Sequence, residues 1–320
     1  MRTIISILCV FFWGINCFLP LYGQESNATI VNPDSILFYS PDAQEQEIID
    51  IDDPFESIEG SAPIDNSLIT ADYNVEDSGT FSNVSLFMRK KSELEQYEDK
   101  RIVLLVGENK EYVWMCSGAM VGKYAVLTAA HCLDKQAENS LITIYAGGYP
   151  SSLKAYSDKI LYVSAIKKGM ISIKADLGII ILDRPLGNKT GYFGATTSTL
   201  VIGDTIFSSG FPGSLSLQHP WLSIGKVIAD YNIPKPTISI GSFLFTAYAE
   251  KGMSGGPIFE GKDSTRIIAV QSSVSTLSAI ARGLGAIPAI IKKARQIEPS
   301  IKNVNDELFE EGSHPSYHFI

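Results

Sequence analysis

From Arg101 onward the chain predicts an all-β fold, a barrel or a sandwich, followed by one helix near the C terminus. Three observations predict it. Short apolar runs rich in β-branched and aromatic residues recur, each of strand length. Gly, Pro, Asn and Asp stand between the runs, as turn formers do. Patterns of helix length are few, and the one with a start signal is "AIIKKARQI", where Pro288 suits a first helical turn.

The strand candidates begin with "RIVLLVG" (101–107), "EYVWMCSGAMVG" (111–122), "YAVLTAAHC" (124–132) and "SLITIYAGG" (140–148). Next come "KILYVSAI" (159–166) and "DLGIIILD" (176–183), apolar enough to be buried strands. The series ends with "DTIFSSGFPG" (204–213), "GKVIADYN" (225–232), "SFLFTAY" (242–248), "GPIFEG" (256–261) and "RIIAVQSS" (266–273). The chain shows no internal repeat, no heptads, no phosphate-cradling glycine loop and no His/Cys spacing that suits a metal, so no metal or cofactor is expected.

Charge divides the sequence. The whole carries −9, yet residues 24–88 hold 14 acidic residues and no Lys or Arg, which leaves 26 basic against 21 acidic residues elsewhere. An acidic total argues against nucleic acid as a partner. Residues 1–23, "MRTIISILCVFFWGINCFLPLYG", have the pattern of a secretory signal, which predicts a secreted, extracellular protein with no membrane segment once the signal is removed. Residues 24–91 read as a poorly ordered acidic pro-segment or linker, able to act intramolecularly; "SILFY" and "IIDIDDPFESI" are its only stretches apolar enough to dock. The basic cluster Arg89-Lys90-Lys91 marks a possible processing point, 92–299 a single folded domain, and 300–320 an acidic tail. With Cys9 and Cys17 in the signal, Cys116 and Cys132 remain for one disulfide. Sequons stand at Asn27, Asn83 and Asn188, so a eukaryotic source would make the protein a glycoprotein.

Three stretches carry chemistry. His131 in "LTAAHC" follows an apolar strand and adjoins a cysteine that can tether its turn, as a positioned general base requires. Asp176 opens a strongly apolar run, a poor place for a charge without a partner, and suits an acid that holds one tautomer of His131. Ser254 lies in "GMSGGP", where Gly252 permits a turn that aims the N–H groups of Gly252 and Ser254 at one spot, an oxyanion site. Each stretch alone has a bland reading as a cap or a bend. The other histidines, His219, His314 and His318, sit in a proline-flanked loop and the tail and read as exposed.

Together, "CSGAMVGKYAVLTAAHC" (116–132), "ADLGIIIL" (175–182) and "GMSGGPIF" (252–259) resemble the chymotrypsin-like, trypsin-fold serine proteases over roughly 101–298. The resemblance implies two six-stranded antiparallel β-barrels with the site in the cleft between them. It implies His131 as base, Asp176 as orienting acid, Ser254 as nucleophile, Gly252 and Ser254 as oxyanion donors, and a Cys116–Cys132 disulfide across the histidine loop. Activatable members carry Asp before the nucleophile, to pair with a new N-terminal ammonium; Met253 cannot do so. "RIVLLVG" therefore reads as a core strand and not as an activation site at Ile102. Met253, a single disulfide and "GFPG" (210–213) point to the glutamyl-endopeptidase branch.

By the same resemblance the substrate pocket falls on Tyr248, Ala249, Gln271, Ser272, Ser273 and Val274. Tyr248 stands where trypsin-like enzymes keep an Asp, so Arg or Lys is not the expected specificity. Val274 in a glycine's place suits small or medium neutral side chains, and Gln271 near an expected histidine argues against glutamate. Ser272 aligns with the family's serine that contacts the triad Asp. The leading expectation is a secreted serine endopeptidase acting on proteins or peptides. The competing one is a catalytically weak or inactive homologue that binds partners through the same scaffold.

Overall fold

The structure is a computed structural model that describes residues 34–40, 45–50, 57–62, 90–108, 113–133, 141–167, 170–198, 200–230, 241–260, 265–274 and 279–300. The expected signal at 1–23, the sequons at Asn27 and Asn83, and the tail from 301 with His314 and His318 lie outside the described residues.

Among the described residues, four strands precede Arg101: β1 (Asp34–Ser40), β2 (Glu45–Asp50), β3 (Ser57–Ile58) and β4 (Glu95–Gln96). A first barrel follows from β5 (Ile102–Glu108), β6 (Val113–Met120), β7 (Ala125–Thr128), β8 (Leu141–Ala146), β9 (Lys154–Lys167) and β10 (Met170–Leu182). A short helix α1 (Leu186–Thr190) and β11 (Gly194–Thr196) connect it to the second. That barrel comprises β12 (Thr205–Gly210), β13 (Trp221–Asp230), β14 (Gly241–Phe245), β15 (Pro257–Glu260), β16 (Arg266–Val274) and β17 (Ala279–Leu284). Helix α2 (Ile287–Ala294) ends the domain, with Pro288 in its first turn.

Both barrels are antiparallel and closed. The first runs β10-β7-β6-β5-β8-β9 and closes by the β9–β10 pairing; the second runs β15-β12-β13-β14-β17-β16 and closes by β15–β16. Closure pairs the barrel strands with one another, but β9 runs on past its pairing with β8 and leaves an edge from Tyr162 to Lys167.

β5 shows why both faces of a strand are apolar here. Val103 and Leu105 point into a core of first-barrel residues, among them Ile142, Ile144 and Ile180, that also takes in Leu186 of α1. Ile102 and Leu104, on the alternate face, enter a larger core shared with Phe211, Phe259, Val270 and Ile287. Phe243, Phe245, Ile258 and Ile268 fill the second barrel. The buried face of α2, including Ile290 and Ile291, plugs the shared core. Ile102 is fully buried and its N–H donates to the Asp99 carbonyl at 3.1 Å, so this stretch is a core strand.

The eleven strand candidates fall on strands of the two barrels, but three features were not expected. β17 was missed because "AIARGL" carries Gly283 and is followed by Gly285, both at positive φ, which read as a turn. α1 and β11 are too short to leave a pattern. The third is the acidic segment, expected to be poorly ordered. β1 pairs with β9 from Tyr162 to Lys167, β2 pairs with β1, and β3 pairs with β11. Strand addition is carried by backbone hydrogen bonds, which an acidic composition does not forbid.

Candidate active site

His131 sits in a 3₁₀ turn, Ala130–Leu133, directly after β7. Two features fix that turn: the Cys116–Cys132 disulfide ties it to β6, and the Trp114 indole N–H donates to the Cys132 carbonyl at 3.1 Å. Cys132 and Leu133 are buried while the His131 side chain stays 46 % exposed, so the turn is anchored and the imidazole reachable. The two sulfurs lie near the His131 ring, but sulfurs joined to each other have no thiolate to give a metal.

Asp176 meets this turn from β10. Its φ is +43°, in the left-handed region that costs a non-glycine residue about 1–2 kcal/mol. It lies where the β9–β10 register shifts, between Ser172 and Leu177. The bulge turns the carboxylate toward the histidine. Oδ1 accepts the His131 backbone N–H at 3.0 Å, and both oxygens lie within 3.1 Å of Nδ1. The Ser272 hydroxyl donates to Oδ2. Burial pushes this carboxyl up, but the His131 ring, the Ser272 hydroxyl and the His131 N–H together hold it below its ordinary value. An ionised carboxylate only accepts, so Nδ1 carries the proton and leaves Nε2 as a base.

Ser254 occupies a turn held by both barrels. Its carbonyl accepts the Ser117 N–H at 2.8 Å, and its Oγ lies 3.5 Å from the Ser272 carbonyl. The Ser117 hydroxyl donates to the Gly252 carbonyl at 2.7 Å and accepts the Phe211 N–H at 2.8 Å. Gly255, at φ +83°, packs so tightly that a Cβ would come within 2.0 Å of Thr128 Oγ1 and 2.2 Å of the Ser117 carbonyl. The Lys251 carbonyl accepts the Gly213 N–H at 2.9 Å, and a trans peptide then sends the Gly252 N–H the opposite way. Among the described residues, no acceptor takes the N–H groups of Gly252 or Ser254. Met253 is fully buried, with its N–H on the Glu250 carbonyl at 3.1 Å.

A polar network stiffens the approach to this turn. Glu250 Oε1 accepts the N–H and hydroxyl of Ser214 at 2.8 and 2.6 Å, and Oε2 accepts the Tyr248 hydroxyl at 2.5 Å. The Lys91 ammonium donates to Ser214 Oγ and its carbonyl at 2.7 and 3.0 Å. Burial and the Glu250 charge push the Tyr248 phenol up to about 12. Glu250 is held below its ordinary value: the Ser214 and Tyr248 hydrogen bonds and the Lys91 charge outweigh the effect of burial.

The expected pocket residues are distributed unevenly. Tyr248 is half-buried, Ala249 and Ser272 are buried, and Ser273 and Val274 are exposed. Gln271 is buried, with Oε1 accepting the Ser208 hydroxyl at 2.9 Å. His219, expected to be exposed, is half-buried with its ring 5.0 Å from Trp221. Sequence reasoning passed over Ser117, Thr128 and Ser214, and gave Lys91 and Gly213 other roles, a processing point and a branch motif. Of the three passed over, only Ser117 left a signal, as a hydroxyl inside the apolar "MCSGAM" strand.

The family model described as Trypsin matches residues 93–291. Glutamyl endopeptidase of Bacillus licheniformis is 32 % identical over 161 residues, 47 % of this chain and 46 % of that protein. A trypsin-like protease of Streptomyces glaucescens is 28 % identical over 171 residues, 48 % of this chain and 62 % of that one. The chain thus spans less than two thirds of either relative. A solved structure of a Glu endopeptidase in complex with MPD has a TM-score of 0.50 at 19 % identity, covering 64 % of this chain and 97 % of that one; the likeness there concerns the fold.

Proposed function

The chain belongs to the trypsin family, and from that premise we propose that it is a secreted serine endopeptidase with His131, Asp176 and Ser254 as its triad. The observation that carries this is the grip of one carboxylate, Asp176, on the His131 ring and backbone and on the Ser272 hydroxyl. Ser254 Oγ attacks the scissile carbonyl and His131 Nε2 takes its proton. The N–H groups of Gly252 and Ser254 receive the oxyanion. His131 then returns the proton to the leaving amine, and water releases the acyl group by the same steps. Asp176 stays ionised throughout and stabilises the imidazolium.

In this reading residues 1–23 direct export, and the acidic segment 24–91 acts intramolecularly. The substrate is a protein or peptide cleaved after a neutral side chain. Tyr248 offers no charge to neutralise Arg or Lys. The Glu250 carboxylate beside it is a poor neighbour for a glutamate, so the preference in the Bacillus relative's name is not carried over.

A fluorophosphonate probe on protein lacking residues 1–91, with residues 24–320 beside it, tests the proposal. The expected result is covalent labelling of the wild type and none of Ser254→Ala. A folded wild type that stays unlabelled would overturn the enzyme reading in favour of an inactive homologue that binds partners. A peptide-library profile then reads specificity; strong cleavage after Arg or Lys would contradict the role given to Tyr248.

A further inference from the structure

We infer that the strands at 34–40, 45–50 and 57–58, with the bridge at Ser61, stay docked when the chain is cut between 63 and 91, so processing yields a two-chain protein and not a released pro-segment. The inference concerns a surface away from the active site and holds whether or not Ser254 is a nucleophile.

The docking surface on the second-barrel side is built from backbone approaches that only glycine allows. Ser57 and Ile58 pair antiparallel with Thr196 and Ala195 of β11. Ser61 and Tyr192 exchange two backbone hydrogen bonds, both at 2.9 Å. Between these points Gly60 and Gly194 lie against each other. A Cβ on Gly60 would stand 2.4 Å from the Tyr192 carbonyl and 2.7 Å from the Gly194 nitrogen. A Cβ on Gly194 would stand 2.1 Å from the Ile58 carbonyl.

Two arginines complete the seat. Arg266 forms an ion pair with Glu59. Arg295, just past α2, has no carboxylate among its hydrogen-bond partners in the described residues. Its guanidinium donates to the carbonyls of Val121 at 2.6 Å, Phe193 at 3.0 Å and Glu59 at 2.9 Å, and stacks 4.7 Å from the Tyr192 ring centroid. One side chain thus joins the first barrel, the inter-barrel connection and the N-terminal segment.

The same segment has a second hold. β1 adds to β9 over six residue pairs, from Asp34 with Lys167 to Tyr39 with Tyr162. Two docking points on one short chain act together, because release of one leaves the other to restore it at high effective concentration. The hold at 57–62 is apart from the machinery: among the described residues, no hydrogen bond of 57–62 reaches His131, Asp176 or the 252–254 turn.

The test uses residues 24–320 carrying Ser254→Ala, which cannot cut itself, with the recognition sequence of a site-specific protease substituted between 66 and 88. After complete cutting, size-exclusion chromatography in native buffer is expected to show the N-terminal fragment co-eluting with the barrels. Gly60→Val is expected to speed its release about tenfold or more, the change that a loss of about 1.4 kcal/mol makes. Glu59→Ala, which removes only an exposed ion pair, should change release a few-fold at most. Hydrogen exchange on the cut wild type should find the Ser61 and Tyr192 amides protected. The inference is overturned if the wild-type fragment elutes alone, if Gly60→Val releases no faster, or if those two amides exchange freely after cutting.

Discussion

Ser117→Ala isolates the clasp between the first barrel and the turn that carries Ser254. The hydroxyl is fully buried and serves two partners, the Gly252 carbonyl and the Phe211 N–H. Alanine keeps the bond from the Ser117 N–H to the Ser254 carbonyl, so the hydroxyl alone is removed. The buried Phe211 N–H loses its partner at about 1–3 kcal/mol, and the half-buried Gly252 carbonyl, which water can reach, loses a bond worth about 0.5–1.5 kcal/mol. The sum, about 1.5–4.5 kcal/mol, is large against a domain stability of about 5–15 kcal/mol. At about 2–4 °C per kcal/mol for a domain of 150–250 residues, the melting temperature should fall by at least about 3 °C. Turnover should fall further than that loss explains, because a freed Gly252 carbonyl loosens the loop that presents the Gly252 N–H. Loss of one oxyanion donor costs about 10²–10³ in kcat, with KM less affected. Differential scanning calorimetry and steady-state kinetics on one peptide substrate measure both effects. A variant that melts within about 1 °C of wild type with unchanged kcat would refute the clasp.

Other substitutions probe the same geometry. Gly255→Ala should melt far below Gly203→Ala: a Cβ at 255 strikes Thr128 and Ser117, whereas at 203 it meets nothing within 4 Å and bears only the left-handed cost of about 1–2 kcal/mol. The Asp176 carboxyl titrates below its ordinary value when folded. Its contribution to stability is therefore present above about pH 4 and lost as the pH falls through the folded value. Thermal melts should accordingly show wild type losing more stability than Asp176→Asn on acidification from about pH 5 to pH 2. At the alkaline end, carbon-13 tyrosine NMR, with Tyr248→Phe for assignment, should place the Tyr248 phenol at about 12 and find it lower in Glu250→Gln. That phenol is raised on folding, so its contribution is full below about pH 10 and disappears as the pH climbs through the folded value.

The residues of the candidate triad were legible because each lies in a short motif whose local chemistry demands it: a base on a tethered turn, an acid at the mouth of an apolar strand, a serine between glycines. The barrel strands were legible because apolar runs of strand length report burial. What was not legible depends on backbone addressed from far along the chain. "EQEIID" has no apolar face to announce β2, and becomes a strand because β1 offers an edge. Arg295 reads as a charge at a helix end, and nothing local tells that it collects three distant carbonyls. Lys91 reads as one of three basic residues in a row, and only folding brings it to Ser214. Met253 showed what the turn lacks, an acid in the slot before the serine. The carboxylate that orders the approach stands three residues earlier, at Glu250.

The Arg295–Glu59 contact also sets a timetable. Its partners are 236 residues apart. Synthesis at about 5–20 residues per second separates their emergence by roughly 12–47 s. For that interval the strand at 57–58 has no finished seat, since β11, Arg266 and Arg295 all arrive after it. A ribosome that stops before codon 295 therefore leaves the N-terminal strand and the joint between the barrels unfastened together, and quality control meets both faults as one.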